Sequence, residues 1–178
     1  MEVYGYHRMG ISLNTVTYNI LFSTALTNND RAKVVEVLEF YKRYNIPYNK
    51  NTYTLHLRWL GQTGSLEEVE NMWQRLLSNP ENVTSEAIGT MLTIVRKRGL
   101  GIPKLQEVLQ IAKQHNVKYD GIIYRELLIM WSKHFTNVNE FVKYYNDYMS
   151  AVSRGDVKDL PTIWVNIIYG FVLLQPRM

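Results

Sequence analysis

The sequence predicts an all-α fold, a solenoid of stacked antiparallel helix-turn-helix repeats of about 35 residues each. Three observations predict it. A motif returns at fixed spacing: Thr15-Val16-Thr17-Tyr18-Asn19-Ile20-Leu21, then Lys50-Asn51-Thr52-Tyr53-Thr54-Leu55, and later Gly121-Ile122-Ile123-Tyr124-Arg125-Glu126-Leu127. Between these openings apolar residues recur three and four positions apart, the spacing of one helix face. Polar or glycine-containing breaks then divide each period into two helices.

The elements follow in order. In repeat 15–49 a first helix runs from after Thr15 to about Leu26, with Tyr18, Leu21, Phe22 and Ala25 on one face. Thr27-Asn28-Asn29-Asp30 breaks it, and Asp30 is placed to cap a second helix whose stripe is Val34, Val37, Leu38 and Tyr41. Asn45-Ile46-Pro47-Tyr48-Asn49 ends that helix, since Pro47 bars continuation. Repeat 50–84 has Tyr53, Leu57 and Leu60 on its first helix and a turn at Gly61-Gln62-Thr63-Gly64. Ser65 and Glu68 then form a capping box before Val69, Met72, Trp73 and Leu76. Repeat 85–120 carries Ile88, Met91, Leu92 and Val95, a longer turn at Gly99-Leu100-Gly101-Ile102-Pro103, then Leu105, Val108, Leu109 and Ala112. Repeat 121–160 carries Tyr124, Leu127, Leu128 and Trp131, then Phe141, Tyr144, Tyr145 and Tyr148. Its tail from Ser150 to Leu160 is expected to be a flexible loop.

Both ends read as half-repeats. Residues 1–14 resemble the end of a second helix and its exit turn. Residues 161–178 begin a further repeat, with Trp164, Ile167, Ile168 and Phe171 on a first helix that has no partner behind it. Arrays normally end in polar caps, so the expectation is an excerpt of a longer repeat array, or another chain covering the ends.

Composition narrows the function classes. Hydrophobic residues make up 46% of the 178, enough for a core, yet no apolar run is long enough to span a membrane. There are no cysteines, which excludes disulfides and thiolate metal sites. His7, His56, His115 and His134 lie far apart, without metal-ligand spacing. No phosphate-cradling glycine loop, nucleophile elbow or paired-carboxylate constellation stands out, so an enzyme is not expected and no cofactor is implied. The net charge of +4 is uneven: segment 85–120 holds six basic and three acidic groups, concentrated at Arg96-Lys97-Arg98. A mild basic excess suits nucleic acid, and a solvated helix end explains the triplet equally well.

With the period, the Thr-Tyr-Asn opening and the Gly10-Ile11-Ser12-Leu13-Asn14 exit in hand, the chain resembles the pentatricopeptide repeat family. The likeness is strongest over 10–76 and weakest over 85–105. The tetratricopeptide repeat has nearly the same length, but its Trp-x-x-Leu-Gly-x-x-Tyr pattern is only echoed by Trp59-Leu60-Gly61. The resemblance implies a right-handed superhelix whose first helices line the concave face. It also implies single-stranded RNA binding at about one base per repeat, read by two or three side chains.

The RNA-binding residues it implies are Asn14, Val16, Asn19, Asn49, Thr54, Thr84, Asp120, Ile122 and Arg125. Asn19 and Asn49 form the base-reading pair of the first full repeat; amides offer donors and acceptors together. Thr54 with Thr84 form the second pair, Gly89 with Asp120 the third, and Arg125 with Leu160 the fourth, which departs from the pattern. Val16 and Ile122 are the aliphatic residues beside a base, where Asn51 and Glu86 do not fit. Arg125 suits either a phosphate or a carboxylate on a neighbouring repeat. The aromatic residues fall on the apolar stripes and are expected in the core.

The expected partners are single-stranded RNA, a mitochondrial mRNA or rRNA, together with ribosomal or other organellar proteins. By the same resemblance the protein is placed in the mitochondrial matrix, in a fungal-like setting, acting in transcript stability, processing or translation. The alternative is a protein-interaction scaffold or a ribosomal-RNA-contacting subunit of a mitochondrial assembly.

Overall fold

The computed structural model describes residues 14–174. The half-repeat expected before Asn14, with its Gly10-Ile11-Ser12 exit, lies outside the described residues. Among these residues there are nine α-helices and no strand. They are α1 (Thr15–Thr27), α2 (Arg31–Arg43), α3 (Lys50–Thr63), α4 (Leu66–Leu77), α5 (Ser85–Arg98), α6 (Gly101–Gln114), α7 (Gly121–Ile129), α8 (Val138–Ser153) and α9 (Pro161–Leu173). A 3-10 turn, Pro80–Asn82, follows α4, and α7 runs on into a π-helical turn, Met130–His134. No described helix is long and apolar enough to cross a membrane.

The chain divides into two compact units, Met1–Asn82 and Val83–Met178. In the first, α1 packs on α2, α3 packs on α4, and α1 lies against α3. Its core joins Tyr18, Phe22, Ala25 and Leu26 of α1 to Val34, Val37, Phe40 and Tyr41 of α2, with Leu55 of α3 closing it. In the second, α5 packs on α6 and α7, and α7 packs on α8 and α9. Within each unit, then, α1, α3, α5 and α7 each touch their own second helix and a neighbouring first helix, and α9 lies against α7. That arrangement hides stripes no single hairpin can bury.

Local chemistry sets the helix ends. Asp30 accepts from the Lys33 amide at 3.0 Å and starts α2. Ser65 and Glu68 close their capping box, with 3.2 Å and 2.7 Å bonds. Three of the four second helices, α2, α6 and α8, stop at a left-handed residue: Asn45 (φ 47°), Asn116 (φ 52°) and Gly155 (φ 75°). Just beyond each, an amide returns to a carbonyl five residues back, as Ile46 does to Tyr41 at 3.0 Å and Val117 to Ala112 at 2.9 Å. This closure satisfies carbonyls the helix leaves open. Asn45, more than Pro47, ends α2.

Three expected boundaries need correction. Gly61-Gln62-Thr63-Gly64 is no turn: α3 continues through Thr63, leaving Gly64 and Ser65 as the connection. The turn at Gly99–Pro103 shrinks to Gly99 and Leu100, because α6 begins at Gly101. Pro103 falls in its first turn, where no amide donor is needed. The tail Ser150–Leu160 is not a free loop. α8 continues to Ser153, Val157 is buried, and the Tyr148 hydroxyl donates to Asp159 at 2.8 Å while accepting the Leu160 amide.

Candidate nucleic-acid interface

The residues that begin the first helices share one local role. Asn14 accepts from the Thr17 amide at 3.0 Å, Asn49 from the Asn51 and Thr52 amides at 3.1 and 3.0 Å, and Thr84 from the Ala87 amide at 3.2 Å. Asp120 accepts from the Ile122 and Ile123 amides at 3.0 and 2.9 Å. All four are N-caps, using one side-chain oxygen to satisfy amides the helix cannot. The repeating Asn, Asn, Thr, Asp therefore has a structural cause independent of any ligand. Leu160 precedes α9 without a side-chain cap bond; it packs instead on Gly121, whose missing side chain makes room.

Asn19 and Asn49 do come together. The Asn19 amide nitrogen donates to Asn49 Oδ1 at 3.1 Å. Asn19 is nevertheless 8% exposed, and its Oδ1 accepts from the Tyr41 hydroxyl at 2.8 Å and from Thr52 Oγ1 at 2.9 Å. Burial pushes the Tyr41 hydroxyl up to about 12, so it stays protonated and able to donate. Asn19 thus knits α1, α2 and α3 together, while Asn49 keeps its amide nitrogen toward solvent. Tyr41 and Thr52 escaped the sequence reading. The signal for Thr52 was its place three residues after a capping Asn; Tyr41 reads as core until its partner is known.

The remaining candidates divide by exposure. Val16 and Ile122 are 60% and 41% exposed at the starts of α1 and α7. Ile122 rests on Gly89, where an added side chain would meet it at 3.0 Å, so the glycine of the third pair is filled by packing. Thr54 is buried, and its hydroxyl donates to the Lys50 carbonyl at 2.9 Å. Arg125 pairs with a carboxylate, but one on its own helix: its Nη2 lies 2.9 Å from Glu126 Oε1. The partner from the neighbouring first helix is Arg96, 2.6 Å from Glu126 Oε2. Glu126 is fully buried between these two guanidinium groups. Arg96 is thus occupied, and Lys97 beside it is exposed.

The aromatic residues are mostly core, as expected. Tyr18, Phe22, Trp73, Phe141 and Tyr148 are buried; the exposed exceptions among the described residues are Tyr44, just after α2, and Tyr169 and Phe171 on α9. His56 is enclosed by Phe22 and Tyr48, with the Tyr48 hydroxyl 3.2 Å from its Nδ1. Burial, aided by Lys42 and Arg75, lowers its pKa to about 4. The ring is therefore neutral at ordinary pH, hydrogen-bonded through Nδ1 to the Tyr48 hydroxyl. Among the described residues no three His, Asp or Glu side chains gather as a metal site would require. No protein-family model matches the chain, and no curated protein matches it either.

Proposed function

We propose that this protein is a right-handed solenoid of about 35-residue repeats that binds single-stranded RNA in mitochondrial gene expression, acting by binding and not by catalysis. One observation supports the reading: a polar side chain recurs at the start of each of α1, α3, α5 and α7 with one oxygen bonded to the helix, and two of these residues, Asn14 and Asn49, are exposed and have an amide nitrogen besides. Exposed Val16 and Ile122 sit two residues beyond two of them, apolar surfaces against which a base can lie. In the second unit, exposed Lys97 in the last turn of α5 offers phosphates a cation, while the Lys133 ammonium in the turn after α7 lies over the Tyr169 ring, 4.6 Å from its centre. Phosphate contacts supply salt-sensitive affinity and base contacts the selectivity. A strand so held is shielded from nucleases or kept from folding on itself, which suits transcript stability, processing or translation.

Asn49→Asp tests this cleanly. Aspartate caps a helix as well as asparagine and still accepts from Asn19, so the fold should survive. Only the outward group changes, from an amide donor to a carboxylate. In cells, crosslinking and sequencing of bound RNA should show a discrete single-stranded footprint that weakens or moves in the variant. An unmoved footprint counts against base reading by this register, and the absence of any bound RNA sinks the proposal.

The second reading, a protein scaffold or a subunit contacting ribosomal RNA, is favoured by α9. Val165, Ile168, Tyr169 and Val172 are 57, 61, 53 and 63% exposed on it, an apolar surface more typical of protein contact. A footprint confined to ribosomal RNA and indifferent to Asn49 supports this second reading.

A further inference from the structure

Within each unit, neighbouring first helices meet through the same two faces. One face leads forward. On α1 it carries Asn19, bonded to Thr52 of α3, and Phe22, whose ring centre stands 6.3 Å from that of His56 on α3. On α5 it carries Gly89, beneath Ile122 of α7, and Arg96, paired with Glu126 of α7. The other face receives. On α3 it includes Thr52 and Leu55, and on α7 Ile122 and Glu126.

The repeat period carries these positions onto the first and last described helices, where they are uncovered. Counting from Tyr18, Tyr53, Ile88, Tyr124 and Trp164, the residue one helical turn on is Phe22, Leu57, Leu92 and Leu128, each wholly buried, and then Ile168, 61% exposed. A further turn on, Leu26 and Ser132 are buried and Arg96 is ion-paired, but Val172 is exposed. So α9 shows a forward face with nothing described against it. On the receiving side, Leu55, Thr90 and Glu126 are buried, whereas their counterpart on α1, Ile20, is 60% exposed, with exposed Val16 a turn before it. A second observation sets the same two helices apart. Every other described α-helix carries charged residues; α1 and α9 carry none. A helix that faces water along one side normally places charges there, and the ends of an array are normally polar. The polar groups present are partly satisfied already. The Thr27 hydroxyl donates to the Ser23 carbonyl at 2.9 Å and the Asn166 amide to the Thr162 carbonyl at 3.0 Å, so covering them costs less.

We propose that α9 of one copy of this chain seats on α1 of a second copy, forward face on receiving face, with Ile168 and Ile20 at the centre. The contact continues between molecules the packing that joins α1 to α3 and α7 to α9 inside one. It buries no ion and opposes no like charges, because neither helix has any. The two faces differ, so the association is head-to-tail. Each joined pair keeps one free α1 and one free α9, and assembly grows beyond the dimer. A two-fold pairing of α9 with itself would set forward face against forward face, a packing that no described pair of first helices uses. The proposal gives the apolar surface of α9 one occupant and does not depend on RNA binding.

The test is analytical ultracentrifugation of the whole 178-residue chain, free of nucleic acid, from roughly 1 to 200 µM. The average mass of the parent should climb with concentration and pass that of a dimer. Ile168→Glu spoils only the forward face and Ile20→Glu only the receiving face. Both positions are exposed, so circular dichroism should match the parent; Val172→Glu and Val16→Glu replace them if either fails to fold. Each variant alone should associate at least about tenfold more weakly. Mixed in equal amounts, each supplies the face the other lacks, and the mixture should form a dimer and stop there. A parent that stays monomeric throughout overturns the proposal and leaves α9 to a different protein. A parent that stops at the dimer, with Ile20→Glu still dimerising, shows α9 pairing with itself and overturns it too. So does an inert mixture of the two variants when the parent assembles. None of these outcomes touches the RNA reading, which its own crosslinking experiment decides.

Discussion

Asn19 is held by three side chains, one from α2 and two from the start of α3, and shortening it strands all of them. Tyr41 and Thr52 lose their acceptor and Asn49 loses a donor. With buried groups left unpaired, Asn19→Ala should cost about 2–3 kcal/mol, read by urea unfolding, more than the ~1 kcal/mol expected for an exposed cap such as Asn14→Ala. His56 gives a second residue-scale prediction. Its folded pKa of about 4 lies below the ordinary 6.5, because burial disfavours the imidazolium. Below pH 6.5 the unfolded chain takes up a proton that the folded chain refuses until about pH 4. Stability therefore falls as pH drops through that window, by at most about 3 kcal/mol. Urea unfolding at pH 7, 6 and 5 should show a steeper decline in the parent than in His56→Gln; parallel curves exclude the burial argument.

At the scale of the element, caps and close approaches decide where helices begin and how near they come. Asp120 holds two amides of α7 at once, so Asp120→Ala should destabilise the second unit by about 1–2 kcal/mol, seen as a lower melting temperature. Gly170 on α9 lies directly beneath the Phe141 ring of α8, with no room for a side chain. Gly170→Val should displace α9, and hydrogen exchange should report faster amides along Pro161–Leu173 than in α5 or α6. Element existence was legible because each apolar stripe keeps one helical period. Boundaries were less so. Gly61 reads as a turn residue, yet Leu57, Trp59 and Leu60 carry the helix across it; Pro103 reads as a breaker, yet it sits where a helix needs no donor. The tail after Ser150 reads as loop because its anchor, the Tyr148–Asp159 bond, joins residues whose contact no local pattern announces.

Across the molecule, stability is shared between neighbours. Trp73 of α4 is wholly buried in the first unit. Trp73→Asp should loosen α1 and α2 as well as its own hairpin, since α1 leans on α3. Unchanged protease resistance over Thr15–Arg43 in that variant counts against stacking. Glu126 plays the linking part in the second unit, where one buried carboxylate ties α7 to Arg96 of α5. Removing it leaves two guanidinium groups without their shared partner. Glu126→Ala should cost about 3 kcal/mol, with exchange rising first in α5 and α7.

The sequence by itself determined that the chain is helical, that hairpins recur, and which faces turn inward, because period and apolar spacing are local properties that any window of the chain displays. It also placed polar residues at the starts of α1, α3, α5 and α7. Only the tertiary structure decided what those residues do. Asn19 and Asn49 share a code in the sequence, but one is enclosed by Tyr41 and Thr52 while the other keeps a donor outside. Arg96 and Arg125 carry the same charge, yet both are committed to Glu126. The reason is physical: whether a polar side chain is free for a ligand depends on which groups, distant along the chain, the packing brings within hydrogen-bond reach.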